Sequence, residues 1–141
     1  MSGGMSRDEL LEFLGRRGRV GVLGTLDRRG QPHLVPVWFR FDGSVVTVWT
    51  SDERIWVRNL ARDSRVAFSV HDDGPPYGGV TMKGVAAVET GTGAGIVEEI
   101  KAISRRYLAE AEVDAYVETW RDLRSIVTIQ PERIVSWAES G

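Results

Sequence analysis

Between residues 20 and 71 the chain alternates short β-rich runs with turn signals, and this rhythm limits its possible folds more than any other feature. VGVLGTL (20–26) is closed by Asp27-Arg28-Arg29-Gly30. HLVPVWFRF (33–41) is closed by Asp42-Gly43, a hairpin signal, and SVVTVWT (44–50) follows. Turns this short join antiparallel neighbours, because a parallel return needs a crossover of a dozen or more residues. Residues 65–71, 80–89 and 125–129 have the same β-rich character, and 134–137 extend or follow the last of these beyond Pro131. The expectation is a mainly β fold: a six-stranded antiparallel barrel with helices on its periphery. Pro36 cannot donate to a strand ladder, so its strand lies at an edge, or is bulged or split there. Gly84 within 80–89 suggests a bulge or a close backbone approach.

Helical segments interrupt this pattern. Ser6-Arg7-Asp8-Glu9 is a capping box, followed by Leu10, Leu11, Phe13 and Leu14 on one face and ended by Gly15 and Gly18. Residues 53–61 read as a short helix with Val57, Leu60 and Ala61 buried. Residues 96–108 read as another, with Ile96, Ile100 and Ile103 inward, and 114–122 as a fourth. Residues 72–79, DDGPPYGG, read as a loop. Residues 1–5 read as a start outside the fold, with Met5 as the natural initiator, and 6–141 as one domain.

Composition narrows function mainly by exclusion. The net charge of −2 offers no positive field for nucleic acid. With no cysteine, thiolate metal sites and thiol nucleophiles are excluded, and a reducing compartment fits. No apolar run reaches the ~18 residues of a membrane span, so the expected location is cytoplasmic, with no membrane partner. His33 and His71 stand apart in two strands without HExxH or clustered carboxylates, so no metal is expected. No GxSxG elbow accompanies the Ser, His and Asp residues, and GTGAG (91–95) lacks the Lys-Ser/Thr of a phosphate loop.

Two features remain. Trp38, Trp49, Trp56, Trp120 and Trp137 are many for 141 residues; most serve as core and interface mass, but flat apolar walls are also what a planar cofactor needs. Arg54, Arg58 and Arg62 recur every four residues after the strand ending in Thr50-Ser51, which puts them on one helix face. Alone, the stripe reads as a solvated face, with Asp52 and Glu53 as first-turn acids. As a site, Thr50, Ser51 and the guanidinium groups would donate to a phosphate.

The order of the segments bears on that choice. GVLGTLDRRGQPHLVPVWFRFDG, with Gly30-x-Pro32-x-x-x-Pro36-x-x-Phe39, resembles the first hairpin of the pyridoxamine-phosphate-oxidase-like, flavin-binding split β-barrel family. SVVTVWTSDERIWVRNLARDSRVAFSV resembles its strand–helix–strand unit. VTMKGVAAVE resembles the next strand, and RSIVTIQPERIVSW the closing strand with its terminal Trp. The nearer resemblance is to the actinobacterial branch of flavin/deazaflavin-dependent oxidoreductases, which use coenzyme F420. The resemblance implies a cofactor ring against Val35, Pro36, Val37 and Trp38. It implies a phosphate at Thr50, Ser51 and Arg54, and a role for Arg58 on the phosphate or an acidic tail. Lys83 is a further candidate for the tail, and Arg62 stays decoration. FMN is the alternative cofactor, and a non-enzymatic flavin or haem binder, with His33 or His71 as haem ligand, is the alternative function. The family pattern has lysine where this chain has Trp56, which would stack on the cofactor or close the site, and proline where it has Ser64. The resemblance further implies a homodimer with cofactor sites at the interface, hydride transfer to a small organic substrate, and a pocket shaped by loops, here residues 72–79, and by the partner chain.

Overall fold

The computed structural model describes residues 4–51, 54–120 and 124–139. In chain order its elements are α1 (Arg7–Gly15), β1 (Gly21–Leu26), β2 (Pro32–Val37), β3 (Phe39–Phe41), β4 (Val46–Ser51), α2 (Ile55–Arg62), β5 (Arg65–His71), β6 (Gly78–Gly91), α3 (Ala94–Ser104), α4 (Glu110–Thr119) and β7 (Arg124–Ala138). The expected helix start at Glu53 and helix end at Asp122 lie outside the described residues. Among the described residues no helix is long and apolar enough to cross a membrane.

The strands form one antiparallel sheet in the order β2-β1-β5-β6-β7-β4-β3. It has seven strands rather than the six expected. The extra one arises because the run 33–41 breaks at Trp38: β2 pairs with β1, whereas β3 pairs with β4. One continuous segment thus supplies both edges of the sheet, which makes the sheet curl without closing. Pro36 sits within β2, where an edge strand tolerates a missing N–H. The break falls two residues later, where Tyr107 holds the chain. Its hydroxyl accepts the Phe39 N–H at 3.0 Å and donates to the Arg19 carbonyl at 2.8 Å. Its ring stacks on Trp38 with centroids 4.6 Å apart.

The closing segments 125–129 and 134–137 are one strand, β7, which runs through Pro131. Pro131 stands opposite Gly84, and the β6–β7 register shifts between Lys83 and Gly84. The bulge expected at Gly84 is therefore present. A side chain there would run into the Gln130 backbone carbonyl.

Alternation along the strands builds the main core. Leu23, Phe68, Val70, Val80 and Met82 face inward and meet Phe39, Val48 and Ile129. α1 adds Phe13 and Leu14, its start fixed by the capping box: Ser6 Oγ accepts the Glu9 N–H, and the Glu9 carboxylate accepts the Ser6 N–H. α2 adds Trp56, Val57 and Leu60, but Ala61, expected inside, is exposed. Positions 56, 57, 59 and 60 make the inner face, and 61 turns away from it. A smaller core forms where Ile96 and Ile100 of α3 and Val113 and Val117 of α4 cover Ile126 and Trp49. Met5, outside the expected domain, packs partly against the main core and donates its N–H to Ser136 Oγ at 2.8 Å.

Candidate functional site

The sheet's curl and the α3–α4 pair leave a cleft of about 610 Å³ between β2, the end of β4, the start of α2 and the last turns of α4. β2 contributes His33, Val35, Pro36 and Val37, and Trp38 follows at the strand break. β4 contributes Trp49, Thr50 and Ser51. Arg54, Ile55 and Trp56 come from the start of α2, and Tyr116 and Trp120 from α4 and its C-cap. One wall is therefore strand backbone with small side chains. The other is a cluster of rings: Tyr116 lies 5.3 Å from Trp38, and Trp49 meets Tyr116 and Trp120 edge-on at 6.1 and 5.9 Å. Flat apolar walls of this kind suit a planar ring system.

The polar groups sit at the β4–α2 junction, where Thr50 and Ser51 offer hydroxyls and Arg54 a guanidinium. Arg54 is the N-cap of α2, with extended backbone (φ −65°, ψ 140°). This geometry breaks the arginine stripe. Arg54 lines the cleft, but Arg58, one turn into the helix, is exposed and does not. The four-residue spacing puts side chains in register only within the helix, and Arg54 stands outside it. Arg62 is more than decoration: its Nη2 donates to Asn59 Oδ1 at 2.6 Å. Buried Asn59 in turn donates to Thr25 Oγ1 at 3.0 Å, which ties α2 to β1.

The structure thus gathers Val35, Pro36, Val37, Trp38, Thr50, Ser51, Arg54 and Trp56 around one cleft and leaves Arg58 out. Trp56 does not close it. Only 4% exposed, Trp56 is anchored in the main core and presents little surface to the cleft. Within one chain residues 72–79 do not line this cleft; 72–78 border a separate cavity beside α1, with Glu9, Glu12 and Phe13. Lys83 lies on β6 beside a third, shallow groove with Gly24, Leu34 and Ala67. Of the two histidines only His33 lines the cleft; His71 is exposed on β5 opposite Gly79. Among the described residues no three His, Asp or Glu side chains gather to hold a metal ion.

Tyr116 was not singled out in the sequence. Its only signal was its nearness in sequence to Trp120, the C-cap of α4, which it meets edge-on with centroids 6.4 Å apart. Burial pushes the Tyr116 phenol up, against a hydrogen bond from Trp120 that acts the other way. The phenol therefore stays protonated at neutral pH, able to donate a hydrogen bond or a proton. Tyr107, behind Trp38, is also pushed up by burial, against its hydrogen bond with the Phe39 backbone.

The family model described as pyridoxamine 5'-phosphate oxidase matches residues 6–138. The chain belongs to this family. Among solved structures it is similar to a conserved hypothetical protein from Mycobacterium tuberculosis, with 29% identity, TM-score 0.80, and coverage of 95% of this chain and 85% of that one. It is also similar to an F420 reductase, with 25% identity, TM-score 0.67, and coverage of 87% and 93%. A haem storage protein from Vibrio cholerae shares the fold at 20% identity, TM-score 0.71, and coverage of 92% and 93%. No curated protein matches significantly. The fold of this family agrees with an open antiparallel sheet flanked by helices.

Proposed function

We propose that this member of the pyridoxamine 5'-phosphate oxidase family is an oxidoreductase that holds coenzyme F420 in the cleft and reduces a small organic substrate. The observation that carries this reading is the cleft itself. It combines a strand-backbone wall at Val35–Val37, a wall of rings, and Thr50, Ser51 and Arg54 together at one junction. The residues present fit a flat ring bearing a phosphate. The ring would lie between β2 and the Trp38–Tyr116 side, and the phosphate would accept from Thr50, Ser51 and Arg54. Similarity to an F420 reductase at 25% identity supports the deazaflavin. The bound cofactor supplies the hydride chemistry, and the chain's residues bind it, orient it and exclude water.

FMN is the second reading, and one observation favours it. The long acidic tail of F420 calls for further cations, yet Arg58 and Lys83 do not line the cleft and Arg54 is its only arginine or lysine among the described residues. A homodimer belongs to the same proposal. Its support is the uncovered outer face of β1 and β2, where Leu34 is 68% exposed and Val22 36% exposed.

The test is a titration of the purified protein with F420, FMN and FAD, following tryptophan quenching and cofactor fluorescence. Trp38, Trp49 and Trp120 all line the cleft, so occupancy quenches them directly. Saturable binding of F420 supports the first reading and sends the protein to substrate screens. Binding of FMN alone replaces it with the second. Binding of neither, with a folded protein, ends both. Turnover of the reduced cofactor then separates an enzyme from a carrier.

A further inference from the structure

Arg124 opens β7 and pairs across the sheet with Ser51 at the end of β4 and Gly91 at the end of β6. Directly opposed residues in an antiparallel ladder put their side chains on the same face. Two residues along, Trp49 and Ile126 form the next pair on that face. α4 covers it, with Val113 and Val117 on Ile126. Ser51 and Trp49 line the cleft, as does Trp120 at the C-cap of α4; Arg124 is not itself a lining residue and adjoins the cleft through its pair Ser51.

Arg124 is only 8% exposed, and its Nε and Nη1 are buried with no hydrogen-bond partner among the described residues. A guanidinium keeps its charge at any pH a protein meets. Burying such a charge unpaired is among the costliest things a fold can do. Two other arginines carry a buried unpartnered nitrogen, but each is anchored through another atom. Arg19 Nη2 donates to Asp72 at 2.7 Å, and Arg106 Nη2 donates to the carbonyls of Leu14 and Arg16. Among the described residues Arg124 has no such anchor.

We propose that Arg124 is the charge anchor for the phosphate of the bound cofactor, which it would hold together with the Ser51 hydroxyl and Arg54. This rests on the reading that a phosphate-bearing cofactor occupies the cleft. The guanidinium fork matches phosphate oxygens in a way that a lone hydroxyl cannot. The anchor would also supply a cation where Trp56 replaces the lysine of the family pattern. A cation kept for a ligand differs from one kept for the fold in a measurable way. Replacing an unpaired buried charge by an apolar side chain of similar length leaves the empty protein as stable or makes it more stable.

The experiment compares wild type, Arg124→Met and Arg124→Lys by thermal unfolding without ligand. Each is then titrated with F420 and FMN and with their phosphate-free ribosides. The expected result is an unchanged or raised Tm for Arg124→Met. Its affinity for the phosphate-bearing cofactor falls roughly 10- to 100-fold, the scale of a lost charged hydrogen bond, while its riboside affinity is unchanged. Arg124→Lys falls between. Equal loss for both ligand forms, or no loss for the phosphate form, overturns the proposal. So does a lowered Tm or a failure to fold in Arg124→Met, which makes Arg124 part of an ion pair within the chain. If wild type binds no cofactor, the functional reading fails by itself, and inorganic phosphate decides Arg124. A Tm that rises with phosphate in wild type but not in Arg124→Met supports the anion site; no rise in wild type removes it.

Discussion

At the scale of single residues, position relative to a helix end separates side chains that the sequence makes look alike. Arg54 caps α2 from outside and reaches the cleft, whereas Arg58 sits in the helix and faces solvent. Arg54→Ala is expected to weaken cofactor binding by about 1–3 kcal/mol, the scale of one charged hydrogen-bonded contact. Arg58→Ala is expected to change it little. Parallel titrations of the two variants check this, and equal losses would return Arg58 to the site. The turn carboxylates make a second residue-scale prediction. Asp63 is held down to about 2 from an ordinary 3.8, first by the side-chain hydrogen bond from Arg65 and then by the Arg65 backbone N–H. Asp42 is lowered by the backbone N–H groups of Val45 and Ser44, and Asp27 by those of Gln31 and Arg29. Because the folded state favours these ionised forms, their stabilisation is complete above the unfolded-state value. For Asp63 it is lost as pH falls from about 4 through about 2. Urea unfolding across that window should show a shallower loss of stability in Asp63→Asn than in wild type. Identical slopes would mean that the Arg65 pair has no counterpart in solution.

At the scale of elements, local signals placed most strands and helices well, and the misses share a cause. The capping box and the turns at Asp27–Gly30 and Asp42-Gly43 depend on residues close in the chain. The split at Trp38 depends on Tyr107, which is remote in sequence and arrives on the turn after α3. That turn also ends α3 at Ser104, short of the expected residue 108. At Gly84 the fold leaves no room for a side chain, because the obstacle is the Gln130 backbone, which cannot rotate away. Gly84→Ala should therefore destabilise the protein by about 1–3 kcal/mol, in the range of overpacked sites. The check is the urea midpoint at unchanged m-value. Wild-type stability in this variant would show that the β6–β7 bulge can shift without cost.

For the whole molecule, the sheet is open and one broad face of β1 and β2 is uncovered. Leu34 is 68% exposed there, and its methyl group lies over the space that Gly24 leaves free. Leu34→Asp should leave the core intact and convert a dimer of 15.7 kDa chains to monomer by light scattering after gel filtration. A wild-type protein that is monomeric at every concentration would end the homodimer proposal. By itself, the sequence determined most of the strands and helices and that neighbouring strands are antiparallel, while the family resemblance, not any local pattern, pointed to β2 and the β4–α2 junction as the candidate site. The secondary structure and the antiparallel pairing follow from alternation and turn chemistry, which are local. Tertiary structure decided that one broken strand serves both edges of the sheet. It also brought Tyr116 and Trp120 across to face β2 and buried Arg124 beside Ser51. Each of these depends on register and burial between segments distant in the chain, which no local pattern encodes.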